Sequence, residues 1–370
     1  MEVNVFRFSD IATFKYGKMP AKGMVQEQGK YPVNSGYRYV GYCDEYNTDE
    51  NTLIVVARGV GGTGDVKITK EKCYLTNLSI SAELNQDIVL PKYLYYYFQI
   101  RNLRYLDSGS AQSQITIGDL GKVEIPLPAL HIQKSIVSHL EMLDDKIELN
   151  SSINSNLFEQ MESLYKSWFV HYDAFNGIKP EHWKKTDIYA ISNIIYGAPF
   201  ASKLFNTEGE GKPIIRIRDL KEQSFVTYTT EEHPKGYLLQ PADIVVGMDG
   251  EFRPYIWGNS EAWLNQRVCV FDNLRKNGKA FLYYTIKPLL NVIEQTQVAT
   301  TVIHIGKKDF DAFEIILPDN ETLDKFDNIT SPMIQKIVSN SFENKRLVAT
   351  RDALLPKLMS GEIDLSSIDI

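Results

Sequence analysis

The sequence predicts an α+β fold in which two mixed α/β domains are separated by two long helices that form an antiparallel coiled coil. Three observations carry this prediction. Short motifs recur in the same order in the two halves of the 370-residue chain. Each half opens with short β-branched and aromatic runs split by Gly, Asn and Pro, as in β-rich domains. Each half then continues into a sustained heptad pattern, which predicts helices that pack on each other.

The internal duplication rests on several short echoes, each weak alone, whose order is the same in both halves. The matched motifs are residues 8–12 with 188–192, 54–56 with 244–246, 93–96 with 281–284 and 124–128 with 314–318. The offset between them drifts at first, as loops of unequal length would cause, and is fixed at 190 residues from Glu124 and Glu314 onward. We therefore expect a tandem duplication with pseudo-twofold symmetry.

Within each β-rich part, one strand is predicted most strongly. Residues 53–57 form a short apolar run, and in 243–246 an aspartate precedes three apolar, β-branched residues; both segments are predicted to be buried strands. Proline is favoured at an early helix position, so Pro91 predicts a short helix that starts there. These assignments divide the chain into a first mixed domain, a central helix, a second mixed domain and a C-terminal helix: residues 1–130, 131–176, 177–320 and 321–370.

The first heptad seam runs from Ile136 to Trp168, and its members lie alternately four and three residues apart. A shift of 190 residues gives a second seam, with Thr330 and Arg351 as its weak points. A rod of this length would extend roughly 50 Å at about 1.5 Å per residue and would hold two domains apart. The seam positions that we expect to form this spacer are Leu143, Ile147, Asn150, Asn154, Leu157, Leu164 and Trp168, with Ile337, Asn340, Asn344, Leu347, Leu354 and Leu358.

Asparagines occupy the middle of both seams and no other seam position. The centres of an antiparallel pair meet, so Asn150 and Asn154 would face Asn344 and Asn340. A buried asparagine layer lowers stability but penalises every other register, because a slipped helix would place amides against leucine. The alternative is that these amides face solvent where the pair frays.

The composition excludes several classes of protein. Hydrophobic residues make up 43% and charged residues 24% of the chain, as in an ordinary globular protein. The formal charge of -7 does not by itself indicate a nucleic-acid binder. Three scattered cysteines and six histidines without ligand spacing predict no metal site and fit a reducing cytoplasm. The chain shows neither an apolar run of about 20 residues nor a signal-peptide pattern, so we expect no membrane association.

Two motifs resemble catalytic or cofactor sites but fit the predicted fold better as structure. Residues 59–64 match G-x-G-x-x-G, yet the residues that follow alternate like a strand, so a hairpin loop is predicted instead of a dinucleotide site. Pro318 and Asp319 with residues 343–345 resemble a nuclease metal motif, but Asn344 belongs to the heptad seam. The chain also lacks an Asn-Pro-Pro-Tyr/Phe run that would hold a flipped adenine. These features argue against a nuclease or a self-contained amino-methyltransferase.

Five segments resemble a known family. They are Leu-Pro-Ala-Leu-His-Ile-Gln at 127–133, Leu-Asp-Asp-Lys-Ile-Glu-Leu-Asn at 143–150, Lys-Ser-Trp-Phe-Val at 166–170, Pro-Glu-His-Trp at 180–183, and Arg-Asp-Ala-Leu-Leu-Pro-Lys-Leu-Met-Ser-Gly-Glu-Ile at 351–363. In order and spacing, these segments resemble the conserved regions of the specificity subunit of type I restriction–modification enzymes. One departure is Leu323, which replaces the glutamine of the first motif in the second half, so the two partner-docking ends are expected to be unequal.

The resemblance implies two target-recognition domains, each of which reads one half of a bipartite site on double-stranded DNA. It implies that the helices act as a ruler and as the docking surface for two modification subunits. Those partners would hold S-adenosylmethionine and methylate adenine at N6, and restriction subunits with ATP and magnesium would cleave DNA. This chain would be a cytoplasmic, non-catalytic subunit with no bound cofactor. The alternatives are a coiled-coil interaction scaffold, an inactive decoy copy, or a nuclease–methyltransferase fragment.

The first group of candidate DNA contacts lies between residues 15 and 39, where nearly all charges are basic and tyrosines are interleaved. Basic side chains neutralise phosphates, and tyrosines can pack on sugars or bases. A solvated loop beside a half-buried strand is the alternative. The candidates are Lys15, Lys18, Lys22, Tyr37 and Arg38.

A second group lies at strand ends and in loops. Arg58, after the first buried strand, and Arg253, in the loop after the matching strand, can donate to guanine O6 and N7. Arg216 and Arg218 alternate, so we expect both on one strand face, where a cross-strand ion pair is the alternative. Glutamine can read adenine, although plain turns also explain the glutamines and threonines. The remaining candidates are Gln112, Gln114, Lys203, Thr300 and Thr301.

Overall fold

The computed structural model describes residues 2–59, 62–107, 114–296 and 304–363. The chain divides into two compact units, Met1–Asp145 with Leu347–Ile370, and Lys146–Arg346. Across the described ranges, no helix combines the length and the apolar character that a bilayer-spanning segment requires. The α-helices of these ranges are α1 (Phe8–Ile11), α2 (Pro91–Ile100), α3 (Ile117–Gly121), α4 (Leu130–Tyr165), α5 (Lys279–Thr296), α6 (Lys307–Asp311) and α7 (Asn320–Ser360).

The first unit is built on three small sheets in its described part. Its strands are β1 (Asn4–Arg7), β2 (Ala12–Tyr16), β3 (Tyr31–Ser35), β4 (Arg38–Cys43), β5 (Leu53–Val56), β6 (Val66–Ile68), β7 (Tyr74–Leu75), β8 (Ser79–Leu84) and β9 (Glu124–Leu127). A four-stranded antiparallel sheet has the order β2-β8-β5-β6, and β1 pairs with β9. In the third sheet, β3 lies between antiparallel β4 and parallel β7.

Several sequence predictions are confirmed in this unit. Strand β5 is buried along its whole length. Strands β5 and β6 pair antiparallel, as the predicted hairpin requires; residues 60 and 61 of the segment between them lie outside the described residues. Helix α2 begins at Pro91, and its tyrosines Tyr93, Tyr96 and Tyr97 are buried in the core, where they pack with apolar residues of the sheet.

The second unit repeats this plan. Its strands are β10 (Lys184–Asp187), β11 (Ser192–Tyr196), β12 (Phe205–Asn206), β13 (Lys212–Ile215), β14 (Tyr228–Thr229), β15 (Leu238–Leu239), β16 (Ile244–Gly247), β17 (Pro254–Ile256), β18 (Ala262–Leu264), β19 (Val268–Asn273) and β20 (Glu314–Leu317). Its four-stranded sheet has the order β11-β19-β16-β17, and β10 pairs with β20. These two sheets match those of the first unit strand for strand, so the duplication is structural. A five-stranded sheet, β12-β14-β13-β18-β15, takes the place of the three-stranded one.

The core of the second unit joins the end of α4 to the sheet and to α7. After α4, residues Lys166–Val170 form a π-helical turn. The ring centroid of Phe169 lies 5.0 Å from those of Phe281 and Phe326, both in edge-on contact, an arrangement favoured by the ring quadrupoles. The Trp-Phe pair of the segment 166–170, which carries the family resemblance, is thus part of the apolar core.

Candidate nucleic-acid interface

In the first unit, the structure brings Arg58 and Gln114 together. Strand β5 ends at Val56, and Arg58 then pairs with Gln114 in an isolated antiparallel bridge. The amide of Ile115 donates to Ala57 O at 2.9 Å and fixes the two segments side by side. The guanidinium Nε of Arg58 is buried and has no hydrogen-bond partner among the described residues. A buried hydrogen-bond donor without a partner lowers stability. Binding of a ligand that accepts a hydrogen bond from Arg58 Nε would therefore be favoured.

Tyr37 and Arg38 lie beside this bridge, at the turn between β3 and β4. The guanidinium carbon of Arg38 lies 4.9 Å from the centre of the Tyr37 ring. A Cβ on Gly36 would lie 3.4 Å from Arg58 O, and one on Gly62 would lie 3.0 Å from the Tyr37 side chain. The hairpin tip therefore packs directly against the segment that carries Arg58. Tyr37 remains 39% exposed and can contact a ligand.

The three candidate lysines of the first unit are all exposed. Lys15, on β2, forms an ion pair with Glu83 of β8 at 3.1 Å. Such an exposed pair contributes little free energy, so Lys15 can exchange the carboxylate for a phosphate at small cost. Lys18 and Lys22 lie in the loop after β2, and no carboxylate pairs with either within the described ranges.

In the second unit, the predicted placement of Arg216 and Arg218 on one strand face is wrong. Strand β13 ends at Ile215, and Ile217–Asp219 form a 3-10 turn. The cause is Asp219, a buried carboxylate that accepts from Arg216 N at 3.0 Å and stops the strand. Its oxygens lie 3.8 Å from Arg216 Nε and 3.7 Å from Arg218 Nε, so both charges pair locally within the turn.

The remaining candidates of the second unit are scattered. Arg253 is exposed in the loop after β16, where its Nε lies 3.7 Å from Glu251. Lys203 is exposed in the 3-10 turn Ser202–Leu204. Three candidates lie outside the described residues: Gln112, Thr300 and Thr301.

Sequence reasoning missed the cluster that occupies the place of Arg58 and Gln114 in the second unit. There, Asp249 and His304 form the isolated antiparallel bridge. The Asp249 carboxylate lies 2.6 Å from His304 Nδ1 and 3.6 Å from Arg267 Nη1. Arg267 has a positive φ of 67°, unusual for a residue other than glycine. The 190-residue offset already relates Gln114 to His304 and was the signal that could have found this cluster.

The predicted asparagine pairing is present in the helix pair, within the second unit. Asn150 Nδ2 donates to Asn344 Oδ1 at 2.9 Å, and Asn340 Nδ2 donates to Asn154 Oδ1 at 2.8 Å. The pairs cross in antiparallel order, and Asn150 and Asn340 are fully buried. Asn150 Nδ2 also donates to Glu343 Oε2 at 2.9 Å, which lowers the pKa of that carboxyl. The solvent-facing alternative is therefore wrong.

The two weak points of the second seam have specific partners. In the first unit, Arg351 Nη1 forms an ion pair with Asp144 at 2.8 Å, and Asp144 also accepts from the Tyr96 hydroxyl at 2.6 Å. Burial, together with this carboxylate, raises the pKa of Tyr96. In the second unit, Thr330 is buried and donates to Phe326 O at 2.9 Å. Each weak point thus has a specific partner within the helix pair, whereas Asn150 Oδ1 and Asn340 Oδ1 are buried without a hydrogen-bond partner among the described residues.

The glutamine that differs between the halves is a structural residue. Gln133 is fully buried: its Nε2 donates to Ile88 O and Pro128 O, both at 2.9 Å, and its Oε1 accepts from Leu90 N at 3.0 Å. These bonds fasten the start of α4 to the loop before α2. Leu323, which stands at the matching position of the second half, is buried as well. The difference between Gln133 and Leu323 is therefore a difference within the core.

In the second unit, Asp319 holds the start of the helix instead. Its carboxylate accepts from Thr322 N at 2.9 Å, as a helix N-cap does. It also accepts from Trp183 Nε1 and lies within bonding distance of His182 Nε2, both at 3.0 Å. The conserved Pro-Glu-His-Trp segment is thereby tied to the start of α7. Gln133 thus holds the start of the long helix in the first half, and Asp319 holds it in the second.

A sequence profile described as the type I restriction modification DNA specificity domain matches this chain twice, over residues 1–158 and 180–339. The chain belongs to this family. It resembles the type I restriction enzyme MjaIX specificity subunit of Methanocaldococcus jannaschii, with 25% identity over 350 residues, 86% of this chain and 79% of the relative. It also resembles the type I restriction enzyme HindI specificity subunit of Haemophilus influenzae, with 25% identity over 377 residues, 76% of this chain and 79% of the relative.

A solved structure supports the fold. The type I restriction–modification system S subunit from M. genitalium aligns over 97% of this chain and 96% of that chain, with a TM-score of 0.63 and 20% identity. The chain is a DNA specificity subunit, and the family match supports this assignment over the alternatives of a coiled-coil interaction scaffold that binds no nucleic acid, a decoy copy or a nuclease–methyltransferase fragment. Membership of the family also supports the prediction that the specificity subunit is not itself an enzyme, and it implies DNA and other restriction–modification subunits as partners.

Proposed function

We propose that the specificity subunit reads a bipartite site on double-stranded DNA and binds one half of the site with each mixed domain. The observation that supports this most directly is the bridge repeated after β5 and β16. It carries Arg58 with Gln114 in one half and Asp249 with His304 in the other. Guanidinium, amide and carboxylate groups are the side chains that discriminate base edges in the major groove. The same backbone arrangement thus holds different reading groups in the two halves.

We further propose that residues 1–130 and 177–320 are the two target-recognition domains, and that residues 131–176 and 321–370 are the helices that set the spacing between half-sites. The helices also provide the docking surface for two modification subunits and for restriction subunits. In this scheme the chain binds no cofactor. The modification subunits hold S-adenosylmethionine and methylate adenine at N6, while the restriction subunits use ATP and magnesium. The complex works in the cytoplasm, where the host DNA lies.

The test is to co-express the chain with the subunits encoded beside it and to sequence the host DNA for N6-methyladenine. We expect one motif with two short defined halves and a fixed undefined gap. The same host without the specificity subunit is the control and should lack this motif. An assembled complex that leaves the DNA unmethylated, or methylates it without a motif, would contradict the proposal.

A second experiment separates the two domains. Residues 1–128 are exchanged for the same region of a related specificity subunit, and the methylated motif is determined again. Because each domain reads its own half, only one half of the motif should change while the gap and the other half persist. A change in both halves would show that the domains do not act independently.

A further inference from the structure

A polar contact joins two loops of the second mixed domain to the middle of α7, all within the second unit. Lys345 Nζ donates to Gln223 O at 2.7 Å. The Gln223 side chain extends the contact to the next loop, because Gly258 N donates to its Oε1 at 2.6 Å and its Nε2 donates to Ile256 O at 2.8 Å. We call Gln223, Gly258 and Lys345 the helix latch.

The latch combines a partly buried lysine with close packing of a glycine on α7. Burial lowers the pKa of Lys345, and in the described part of the chain no carboxylate lies within ion-pair distance of its ammonium group. Partial burial of a charge is costly unless the charge is paired, and here the half-buried ammonium group donates to the carbonyl of Gln223, whose own φ is 48°. Gly258 packs so closely on α7 that a Cβ there would lie 2.6 Å from Ser341 Cβ. Both loops are therefore fitted to this face of the helix.

The latch holds one end of the β16–β17 ribbon, and the other end of the ribbon carries Asp249. Strands β16 and β17 pair antiparallel over their length. After β17, Trp257 is fully buried, and its amide donates to Asp243 O at 2.7 Å just before β16 begins. Gly258 follows directly. A short, well-paired ribbon moves as a unit, so fixing Gly258 on α7 also fixes the position of Asp249.

We propose that Lys345 and Gln223 are positioning residues for the second half-site. They fix the β16–β17 ribbon, and with it Asp249, on the same turns of α7 that carry Asn340 and Asn344. A shift in the register of the helix pair would then displace the reading group as well. This inference rests on the proposed DNA-reading function. Ser155, which the 190-residue offset relates to Lys345, is exposed.

The experiment uses the complete complex of the chain with its modification subunits and S-adenosylmethionine. Methylation is measured on duplexes that carry the natural motif, or the motif with its gap shortened or lengthened by one base pair. Lys345→Met should raise KM for the natural duplex roughly tenfold, as expected for loss of a half-buried charged hydrogen bond, with kcat unchanged. It should also weaken discrimination against the altered gaps. Lys345→Arg should restore both, and Lys336→Met, the same change at an exposed site on α7, should alter neither.

A second pair of variants tests the latch from the loop side. Gly258→Ala should relax discrimination of the gap because its methyl group meets Ser341. Adding Ser341→Gly removes the Cβ and Oγ that this methyl meets, and should restore discrimination, whereas Ser341→Ala should not. If Lys345→Met does not fold, the Gly258 and Ser341 variants test the positioning role by themselves.

The outcomes separate the inference from the proposed function. Unchanged gap discrimination in an active Lys345→Met or Gly258→Ala complex would overturn the positioning role and leave DNA reading intact. A complex with the unaltered chain that methylates no defined motif would overturn both.

Discussion

The buried asparagine pair supports a double-mutant prediction. Asn150→Leu removes the donors to Asn344 Oδ1 and Glu343 Oε2 and leaves the oxygen of half-buried Asn344 beside an apolar side chain. The cost of a buried unsatisfied group is about 1–3 kcal/mol, so the free energy of unfolding should fall by about 2 kcal/mol. Asn344→Leu should cost somewhat less, because the Asn150 amide keeps its bond to Glu343.

The double variant Asn150→Leu/Asn344→Leu removes both amides, and two leucines then fill the seam. Replacing a buried polar pair by apolar groups is often neutral or stabilising. We therefore expect an unfolding free energy within about 1 kcal/mol of the unaltered chain, and a coupling energy of about 2 kcal/mol or more between the two sites.

Urea unfolding of the four chains, followed by circular dichroism, measures the cycle. Asn156→Leu, the same change at an exposed position of α4, is the control and should shift stability by less than about 0.5 kcal/mol. A double variant that loses as much stability as the two single variants combined would refute an energetically coupled asparagine layer.

Three further predictions concern the two domains and the ends of the helices. Gln133→Leu should lower the free energy of unfolding by about 3 kcal/mol, since it leaves buried backbone groups without partners; calorimetry would contradict this if the melting temperature stayed the same. Burial raises the pKa of Asp319, but hydrogen bonds from Thr322, His182 and Trp183 outweigh it and hold the pKa well below its usual range. Its contribution to stability is therefore present above about pH 4 and lost as the pH falls further. Asp319→Asn should flatten the fall in unfolding free energy below about pH 4, and an equally steep fall in both chains would refute the assignment. Arg58→Ala should weaken DNA binding by about 1–3 kcal/mol and relax specificity at one base pair of the first half-site; a uniform loss on all sequences, measured by titration of variant duplexes, would indicate a phosphate contact instead.

The elements that the sequence predicted well are those set by local periodicity. In a heptad seam, the positions that face the partner helix recur every seven residues. The pairing of Asn150 with Asn344 therefore followed from this pattern and from the assumption that the helices are antiparallel. The strand at 53–57 was equally clear because a short, continuous apolar run admits few other arrangements. Patterns of this kind do not depend on loops that fold back from distant parts of the chain.

The errors and omissions concern specific side-chain contacts that no periodic pattern indicates. The alternation of Arg216 and Arg218 suggested a strand, but a carboxylate three residues on captured the Arg216 amide and turned the chain. Two of the three partners of Gln133 lie more than 40 residues earlier, so its role could not be separated from a docking role by motif alone. Asp249 and His304 are 55 residues apart and meet only through a backbone bridge.

The bridge also suggests how a duplicated chain can read two different half-sites. The hydrogen bond that builds it is the same in both halves: Ile115 N donates to Ala57 O, and Ile305 N donates to Met248 O, each at 2.9 Å. All these groups belong to the backbone, so the arrangement persists whatever side chain comes next. The following position is then free to carry a guanidinium in one half and a carboxylate in the other. If base recognition lies there, specificity can diverge between the halves without disturbing the sheets or the helix register on which both depend.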